Sequence, residues 1–292
     1  MKHFCYILLL GLIACGILQA KGTKLVNTFV LWQLPSQVNT IGNSYVIKTD
    51  NGKIIVIDGG VDKEEGYLRG FLGALGNKVD YWFVSHPHPD HVGALTKILE
   101  KPEGIKIFHI CQSTLSDSML NREPTYKDAA VKYYAAVNKS GIPVIEAVAG
   151  MTFKVGHTMC KILGVKNEDL TINPYNNSSV IIRVWDVSKS VVFLGDTGAE
   201  EGDRLLKGPY RKDLDCDYIQ MAHHGQGAVR MDFYRTVKFK ACLWPTPSWV
   251  YNNDAGKGFN THTLTTIETR NTIDSLGIKE QYISFQGLAK IE

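Results

Sequence analysis

The feature that most constrains this chain is a cluster of metal-ligand side chains in residues 86–91, which read His-x-His-x-Asp-His. Neutral imidazole and carboxylate groups together suit zinc, and also manganese or iron. Pro87 and Pro89 each fix a backbone dihedral angle and remove a backbone donor, so this loop should be stiff before any metal binds. A fold that carries the cluster must therefore present four ligand side chains from one rigid segment.

The cluster lies between a predicted strand and a predicted helix. Residues 79–84 are apolar and rich in aromatic side chains, which favours a buried strand. Residues 93–101 place Leu95, Ile98 and Leu99 at helical spacing. We therefore expect the cluster on a strand-to-helix loop, where its side chains face a cleft.

Other ligand-type residues also follow predicted strands. The strands are predicted at residues 53–57, 190–194 and 217–222. Each motif that follows them, Asp-Gly-Gly, Gly-Asp-Thr-Gly or His-His-Gly, is by itself more typical of a turn or a loop. Because α/β sheets build their sites at strand ends, we expect Asp58, Asp196, His223 and His224 to face the same cleft as residues 86–91.

Residues 1–20 have the pattern of a secretory signal peptide, with basic Lys2, an apolar core and a cleavage point after Ala20. A lipoprotein box at residues 12–15 is the alternative, and it would leave a lipidated Cys15 at the new N-terminus. Both patterns predict export from a bacterial cytoplasm, to a periplasmic, secreted or lipid-anchored state. The apolar stretch is too short for a typical membrane span, and none is expected in the mature chain.

Composition sets limits on the mature chain. Residues 21–292 are long enough for the single α/β domain that we predict. Loss of Lys2 lowers the formal net charge from +3 to +2, which does not demand a nucleic acid or an anionic membrane as partner. The remaining cysteines form no C-x-x-C pair and are expected as buried free thiols, although three disulfide connectivities stay open. They are Cys111, Cys160, Cys216 and Cys242.

A polar segment, residues 112–124, and a helix predicted at residues 125–138 interrupt the strand pattern. We expect this part of the chain to lie over the cleft as a lid or a substrate wall. A solvated surface helix is the alternative, because its composition fits both.

Together these motifs resemble the metallo-β-lactamase-fold hydrolases. The matching segments are, in chain order, Asp58-Gly59-Gly60, His86-x-His88-x-Asp90-His91, Gly195-Asp196 and His223-His224-Gly225. Residues 176–179, before a hydrophobic strand, and the last two motifs look most like the ComEC-type branch. That branch includes hydrolase domains of bacterial DNA-uptake channels and some exported esterases. The chain looks like a free-standing, exported member.

The resemblance implies an α/β (α+β) fold, a four-layer αββα sandwich, with two zinc ions at one edge of the sheets. By the family pattern, one ion is held by His86 and His88 and the other by Asp90 and His91, with Asp196 between them. His223 and His224 supply the remaining nitrogen ligands, in an order left open. Manganese and iron are the alternative metals.

The third motif departs from the family pattern. Many members carry a further histidine there, whereas this chain has Asn-Asn-Ser-Ser at residues 176–179. One metal position is thereby weakened, and occupancy by a single ion is the alternative. Asn177 and Ser179 are expected to bind a substrate or a bound water instead.

The expected activity is that of an exported hydrolase that uses metal-activated hydroxide. A bound metal lowers the pKa of water from about 15.7 towards about 7, and paired ions suit phosphate esters and phosphodiesters. We expect three residues to act in catalysis. They are Asp90 as a ligand, Asp58 as the group that orients a ligand histidine, and His262 as a substrate contact or proton donor. For His262, a plain surface position carries equal weight.

Two other functions remain open from the sequence. The same hydroxide attacks carbonyl carbon, so a lactone, a β-lactam or another ester is an alternative small-molecule or polymer substrate. The fold could also serve as a metal-stabilised module that binds nucleic acid or an envelope glycopolymer with little turnover.

Overall fold

The computed structural model describes residues 28–292, and the predicted signal peptide and Cys15 lie outside the described residues. Within this part of the chain, two seven-stranded sheets form the centre of the fold. The first sheet has the spatial order β16 (Ala289–Ile291), β1 (Val30–Gln33), β2 (Ser44–Lys48), β3 (Ile54–Asp58), β5 (Tyr81–Phe83), β7 (Ile110–Gln112) and β8 (Val144–Glu146). The second has the order β15 (Glu280–Ile283), β14 (Ala241–Trp244), β13 (Tyr218–Gln220), β12 (Ser190–Phe193), β11 (Ile181–Trp185), β10 (Thr158–Gly164) and β9 (Thr152–Val155). A two-stranded sheet joins β4 (Lys78–Val79) to β6 (Lys106–Ile107).

The helices cover the outer faces of the two sheets. They are α1 (Glu65–Ala74), α2 (Pro89–Glu100), α3 (Asp117–Leu120), α4 (Pro124–Ser140), α5 (Ala199–Lys207), α6 (Met231–Thr236), α7 (Ser248–Tyr251) and α8 (Thr266–Ser275). None of the helices within residues 28–292 is both long and apolar enough to cross a bilayer.

Burial of both faces of β3 explains why the first sheet lies between the second sheet on one side and helices on the other. Successive side chains of a strand point to opposite faces. Ile55 and Ile57 pack against the second sheet, in a core that includes Phe193. Ile54 and Val56 pack on the other side, against α1 and α2. A third core joins the second sheet to α5, α6 and α8. The predicted αββα sandwich is therefore confirmed.

Both sheets change from antiparallel to parallel pairing part-way across. In the first sheet the parallel pairs begin at β3 and β5, and in the second they begin at β12 and β13. The carboxyl ends of parallel strands meet at one edge of a sheet, and in α/β proteins this edge is the usual place for a site. All the ligand-type motifs follow one of these four strands.

Two predicted element bounds are wrong near the metal-ligand cluster. Residues 79–84 do not form one strand, because the Asp80 carboxylate turns back and accepts the Ile54 N–H at 3.0 Å. This contact separates β4 from β5. Helix α2 begins at Pro89 rather than at residue 93, since proline is well suited to the first turn of a helix. Asp90 and His91 therefore project from the first turn of α2.

The helix predicted at residues 125–138 is observed as α4, and it ends where Gly141 adopts a left-handed backbone with φ 67°. Its buried side chains pack with those of α2, and a role as a lid stays a prediction. Cys111, Cys160 and Cys242 are buried, and Cys216 is partly buried. All four are free thiols, and burial raises the pKa of Cys111 to about 12.

Candidate metal centre

The ligand-type side chains reach one place because the chain turns sharply after each strand. Asp58, the last residue of β3, has φ 55°, and Gly60 has φ 81°. After β13 a short 3-10 turn, Ala222–Gly225, carries two consecutive histidines in the left-handed region, with φ 47° at His223 and 56° at His224. Such a backbone is uncommon outside glycine and clusters at functional sites.

The described residues form two groups with the spacing of metal ligands, and the two groups share one residue. Their ligand atoms lie within 4.8 Å of one another in each group. The first group is Asp90, His91, Asp196 and His224, and the second is His86, His88 and Asp196. Asp196 belongs to both groups and therefore lies between two potential ion positions, and it is buried.

Contacts within the groups are close. His91 Nε2 lies 3.2 Å from Asp196 Oδ1, and His224 Nε2 lies 3.0 Å from Asp90 Oδ2. His86 Nε2 lies 3.0 Å from His88 Nδ1. Within the first group, three buried atoms have no hydrogen-bond partner of acceptable geometry among the described residues: His91 Nε2, Asp196 Oδ1 and His224 Nε2. Because buried polar atoms nearly always have partners, these atoms fit a metal ion.

Hydrogen bonds outside the groups aim the ring nitrogens inwards. His91 Nδ1 donates to Asp58 Oδ2 at 2.8 Å, which leaves Nε2 directed at Asp196. His224 Nδ1 donates to the Pro245 carbonyl oxygen at 2.8 Å, which leaves its Nε2 directed at the same place. A partner on one ring nitrogen fixes which nitrogen can bind a metal.

Asp58 is itself held in place. It accepts the Ser85 N–H at 2.7 Å, the Ser85 hydroxyl at 2.8 Å and the Asn43 side-chain amide at 2.7 Å. The Ser85 hydroxyl oxygen then lies 3.0 Å from His86 Nδ1 and can accept its proton. A single carboxylate thus orients ligands in both groups.

The charges of the two groups are strongly coupled. Burial would lower the pKa of His224, but the Asp196 and Asp90 carboxylates outweigh it and raise that pKa to about 9. Burial would raise the pKa of Asp196, but His91 and His224 hold it well below its ordinary value. For His86, burial and the neighbouring imidazoles lower the pKa, so that its ring is neutral and able to bind a metal.

A family model described as the metallo-beta-lactamase superfamily matches residues 39–107, which include Asp58 and the His-x-His-x-Asp-His motif. Among solved structures, the metallo-beta-lactamase fold protein YhfI from Bacillus subtilis aligns with a TM-score of 0.55 at 13% identity. The alignment covers 91% of this chain and 100% of that one. The chain has the metallo-β-lactamase fold.

Two other structures share the metallo-β-lactamase fold with this chain. CmlA, a diiron beta-hydroxylase from Streptomyces venezuelae, has a TM-score of 0.55 at 12% identity, over 91% of this chain and 54% of that chain. Zn(2+)-bound PqqB from Methylobacterium extorquens has a TM-score of 0.50 at 9% identity, over 86% and 87% of the two chains. No curated protein matches the chain significantly. The family model matches residues 39–107, and the solved structures show that the fold is shared over most of this chain.

Within this metallo-β-lactamase fold, the two adjacent histidines lie in different environments. His224 belongs to the first ligand group and is fully buried. The side chain of His223 is 25% exposed, and its Nε2 lies 3.8 Å from Asp196 Oδ2. His223 belongs to neither ligand group and lies at their solvent side.

The two residues expected to bind substrate have other contacts. The Asn177 amide donates to the Ile172 carbonyl and accepts the Glu201 N–H, so it caps α5. Ser179 is fully buried, and its hydroxyl accepts the Asp196 N–H at 3.1 Å. The described contacts of Asn177 and Ser179 are thus with the backbone of α5 and of Asp196, and binding of a substrate by either residue stays a prediction.

His262 is not brought together with the ligand groups by any described contact. Its Nδ1 accepts the Thr263 N–H at 2.8 Å, and its ring lies 5.9 Å from the Trp249 ring. A catalytic role for His262 therefore stays a prediction.

Two residues near the site were missed from the sequence. Gln220 is fully buried in β13, and its amide holds the turn before Asp196 through the Leu194 and Gly195 N–H groups. A polar residue inside an apolar strand was the available signal. Glu123 accepts a hydrogen bond from His88 Nε2 at 3.0 Å. No local pattern marks Glu123, because the two residues are 35 positions apart.

Proposed function

We propose that this chain is a metal-dependent hydrolase of phosphate esters or phosphodiesters. The observation that carries the proposal is the sharing of Asp196 by two ligand groups. A carboxylate shared by two sets of donors suits a two-ion centre, because each of its oxygens can face one ion. When bound, paired divalent ions supply an activated water and stabilise the charge of the leaving oxygen in a displacement at phosphorus.

The chain's own residues prepare the site for this chemistry. Asp58 and the Pro245 carbonyl fix the tautomers of His91 and His224, so both Nε2 atoms face the shared carboxylate. His223, which is partly exposed beside Asp196, donates from Nδ1 to the Gly227 carbonyl at 3.3 Å, so its Nε2 can act as an acceptor for a water or a hydroxyl group. Pre-formed orientation of this kind lowers the cost of assembling the reactive geometry.

The assignment to the ComEC-like branch and to an exported location is part of the proposal. It is supported by the Asn-Asn-Ser-Ser segment at residues 176–179, by His223-His224-Gly225 and by the signal-peptide pattern of residues 1–20. Cell fractionation combined with mass spectrometry of the mature N-terminus tests export. A chain that begins at Lys21 would support cleavage after Ala20, and a lipidated Cys15 would support the lipoprotein pathway.

Hydrolysis by the mature protein tests the activity. The substrates are bis-p-nitrophenyl phosphate, p-nitrophenylphosphorylcholine and a chromogenic β-lactam, each with zinc, manganese or iron. Both zinc and iron belong in the set because PqqB is described as Zn(2+)-bound and CmlA as diiron. Asp196→Asn is the test variant, and Asp232→Asn, at an exposed position, is its matched control.

Phosphodiester turnover that falls at least about 100-fold in Asp196→Asn and is unchanged in Asp232→Asn supports the proposal. Turnover of the β-lactam alone would contradict the proposed phosphodiester hydrolysis and indicate that the hydroxide attacks a carbonyl carbon instead. A protein that binds metal but turns over none of the three substrates would favour a binding module over the phosphodiesterase.

A further inference from the structure

Glu123 lies against one of the candidate metal ligands from outside both groups. Its Oε2 is 3.0 Å from His88 Nε2. We propose that Glu123 is a positioning residue that orients His88 and so sets the metal affinity of the group formed by His86, His88 and Asp196. The proposal rests on the metal centre proposed above.

The two ring nitrogens of His88 have different partners. A carboxylate only accepts hydrogen bonds, so His88 Nε2 carries the proton that Glu123 receives. The other nitrogen, Nδ1, then keeps its lone pair and lies 3.0 Å from His86 Nε2, on the side of the ligand group. A carboxylate on the outer nitrogen fixes the tautomer of a ligand histidine and raises its basicity.

The position of Glu123 is itself well defined. It immediately precedes Pro124, the first residue of α4, and its Oε1 accepts the Tyr175 N–H at 2.8 Å. The rings of Tyr126 and Tyr175 lie 4.3 Å and 5.3 Å from the His88 ring. The His88 ring is thus enclosed by the α3–α4 segment and by the loop before Asn176.

This support acts on the ion position that has fewer donors. The group with His86 and His88 contains three ligand residues, whereas the group with His91 and His224 contains four. At residues 176–179 the chain offers amides and hydroxyls but no imidazole. Because the smaller group has only three ligand residues, the orientation of His88 should strongly affect the affinity of this group for a metal ion.

The test measures zinc binding by the mature protein, with native mass spectrometry for stoichiometry and a competing chelator for affinity. We expect Glu123→Ala to weaken one of the two zinc equivalents about 10–100-fold and to leave the other unchanged. Glu123→Gln should restore part of the loss, because its amide oxygen can still accept from His88 Nε2. The nitrogen chemical shifts of the His88 ring in the metal-free protein should indicate the Nε2–H tautomer in wild type and a mixture of tautomers in Glu123→Ala.

Glu168→Ala is the matched control. Glu168 accepts a hydrogen bond from Ser116 of the same α3–α4 segment, but it has no described contact with His88. We expect this variant to bind both zinc equivalents as wild type does. An equal loss of affinity in Glu168→Ala and Glu123→Ala would reduce Glu123 to general support of the segment and overturn the positioning role.

The two proposals fail in different ways. Wild-type protein that takes up no zinc, manganese or iron would overturn the metal centre and, with it, the role of Glu123. Wild-type protein that binds two ions while Glu123→Ala binds both with unchanged affinity would overturn the role of Glu123 alone.

Discussion

The Asp58 carboxylate holds the His91 imidazole by a hydrogen bond of 2.8 Å between Asp58 Oδ2 and His91 Nδ1. Both side chains are fully buried, so water does not compete for the contact. His91 in turn lies 3.2 Å from the shared Asp196. This chain of contacts makes the end of β3 a support for the ligand groups.

Replacement of Asp58 should therefore weaken metal binding without removing a ligand. We expect Asp58→Asn to lower the affinity for zinc about 10–100-fold, mainly in the group that contains His91, because a neutral amide polarises His91 less than a carboxylate does. Chelator competition measures the effect. Asp62→Asn, at an exposed position close in the chain, is the control and should bind zinc like wild type. Equal affinity in Asp58→Asn and wild type would contradict the prediction.

Zinc stoichiometry should distinguish the shared ligand from the unshared one. We expect Asp196→Asn to lose both zinc equivalents and His224→Ala to lose one, since only Asp196 belongs to both groups. His262→Ala should keep both, because no described contact joins it to the groups. Native mass spectrometry at a fixed zinc concentration counts the ions. Retention of two ions by Asp196→Asn would refute a shared position.

Gln220 should be important for stability. It is fully buried, and its side-chain amide donates to the Gly195 and Met221 carbonyls in addition to accepting two N–H groups. Gln220→Leu leaves the Leu194 and Gly195 N–H groups without this acceptor, which should lower the free energy of unfolding by on the order of 3 kcal/mol. Denaturant unfolding measures the change. The exposed control Gln286→Leu should change it by less than about 0.5 kcal/mol.

Glu201 should make the stability depend on pH. Burial raises the pKa of Glu201 to about 7 from its ordinary value of 4.5, despite the favourable charge of Arg204. A carboxyl group with a raised pKa favours folding below its unfolded pKa, and this contribution is lost as the pH rises from 4.5 through about 7. We expect Glu201→Gln to remove that loss, which amounts to about 1.4 kcal/mol for each unit of pKa.

Unfolding of metal-free wild type and Glu201→Gln at pH values of about 4 and about 8, on either side of this range, checks the expectation. Between the lower and the higher pH, the free energy of unfolding should fall more in wild type than in Glu201→Gln. The matched control is Glu268→Gln on α8, which should leave the pH dependence as in wild type. If the free energy of unfolding of Glu201→Gln depended on pH as that of wild type does, Glu201 would not be the source of this pH dependence.

Local sequence patterns were sufficient to predict much of the fold and part of the site. Apolar runs predicted the strands, and the rule that sites form at strand ends predicted that Asp58, Asp196 and His224 meet at one edge. Asn51-Gly52 is typical of a hairpin turn, and β2 and β3, which flank it, form an antiparallel pair. These features are encoded within a few residues of one another.

Features that depend on distant contacts were missed. Asp80 breaks an apolar run because its carboxylate caps a backbone N–H of β3, 26 positions away. The Glu123 contact with His88 likewise requires the folded chain. The complete burial of Ser179 and its contact with the Asp196 N–H likewise depend on the folded chain, since 17 positions separate the two residues.

The two sheets come from consecutive halves of the chain, apart from β16, which returns to pair with β1. The first half supplies residues 86–91, and the second supplies Asp196 and His224. Neither half can bind an ion in the shared position alone. During refolding, metal affinity should therefore appear at the time when the two halves associate. An ion bound between them should slow their separation on unfolding.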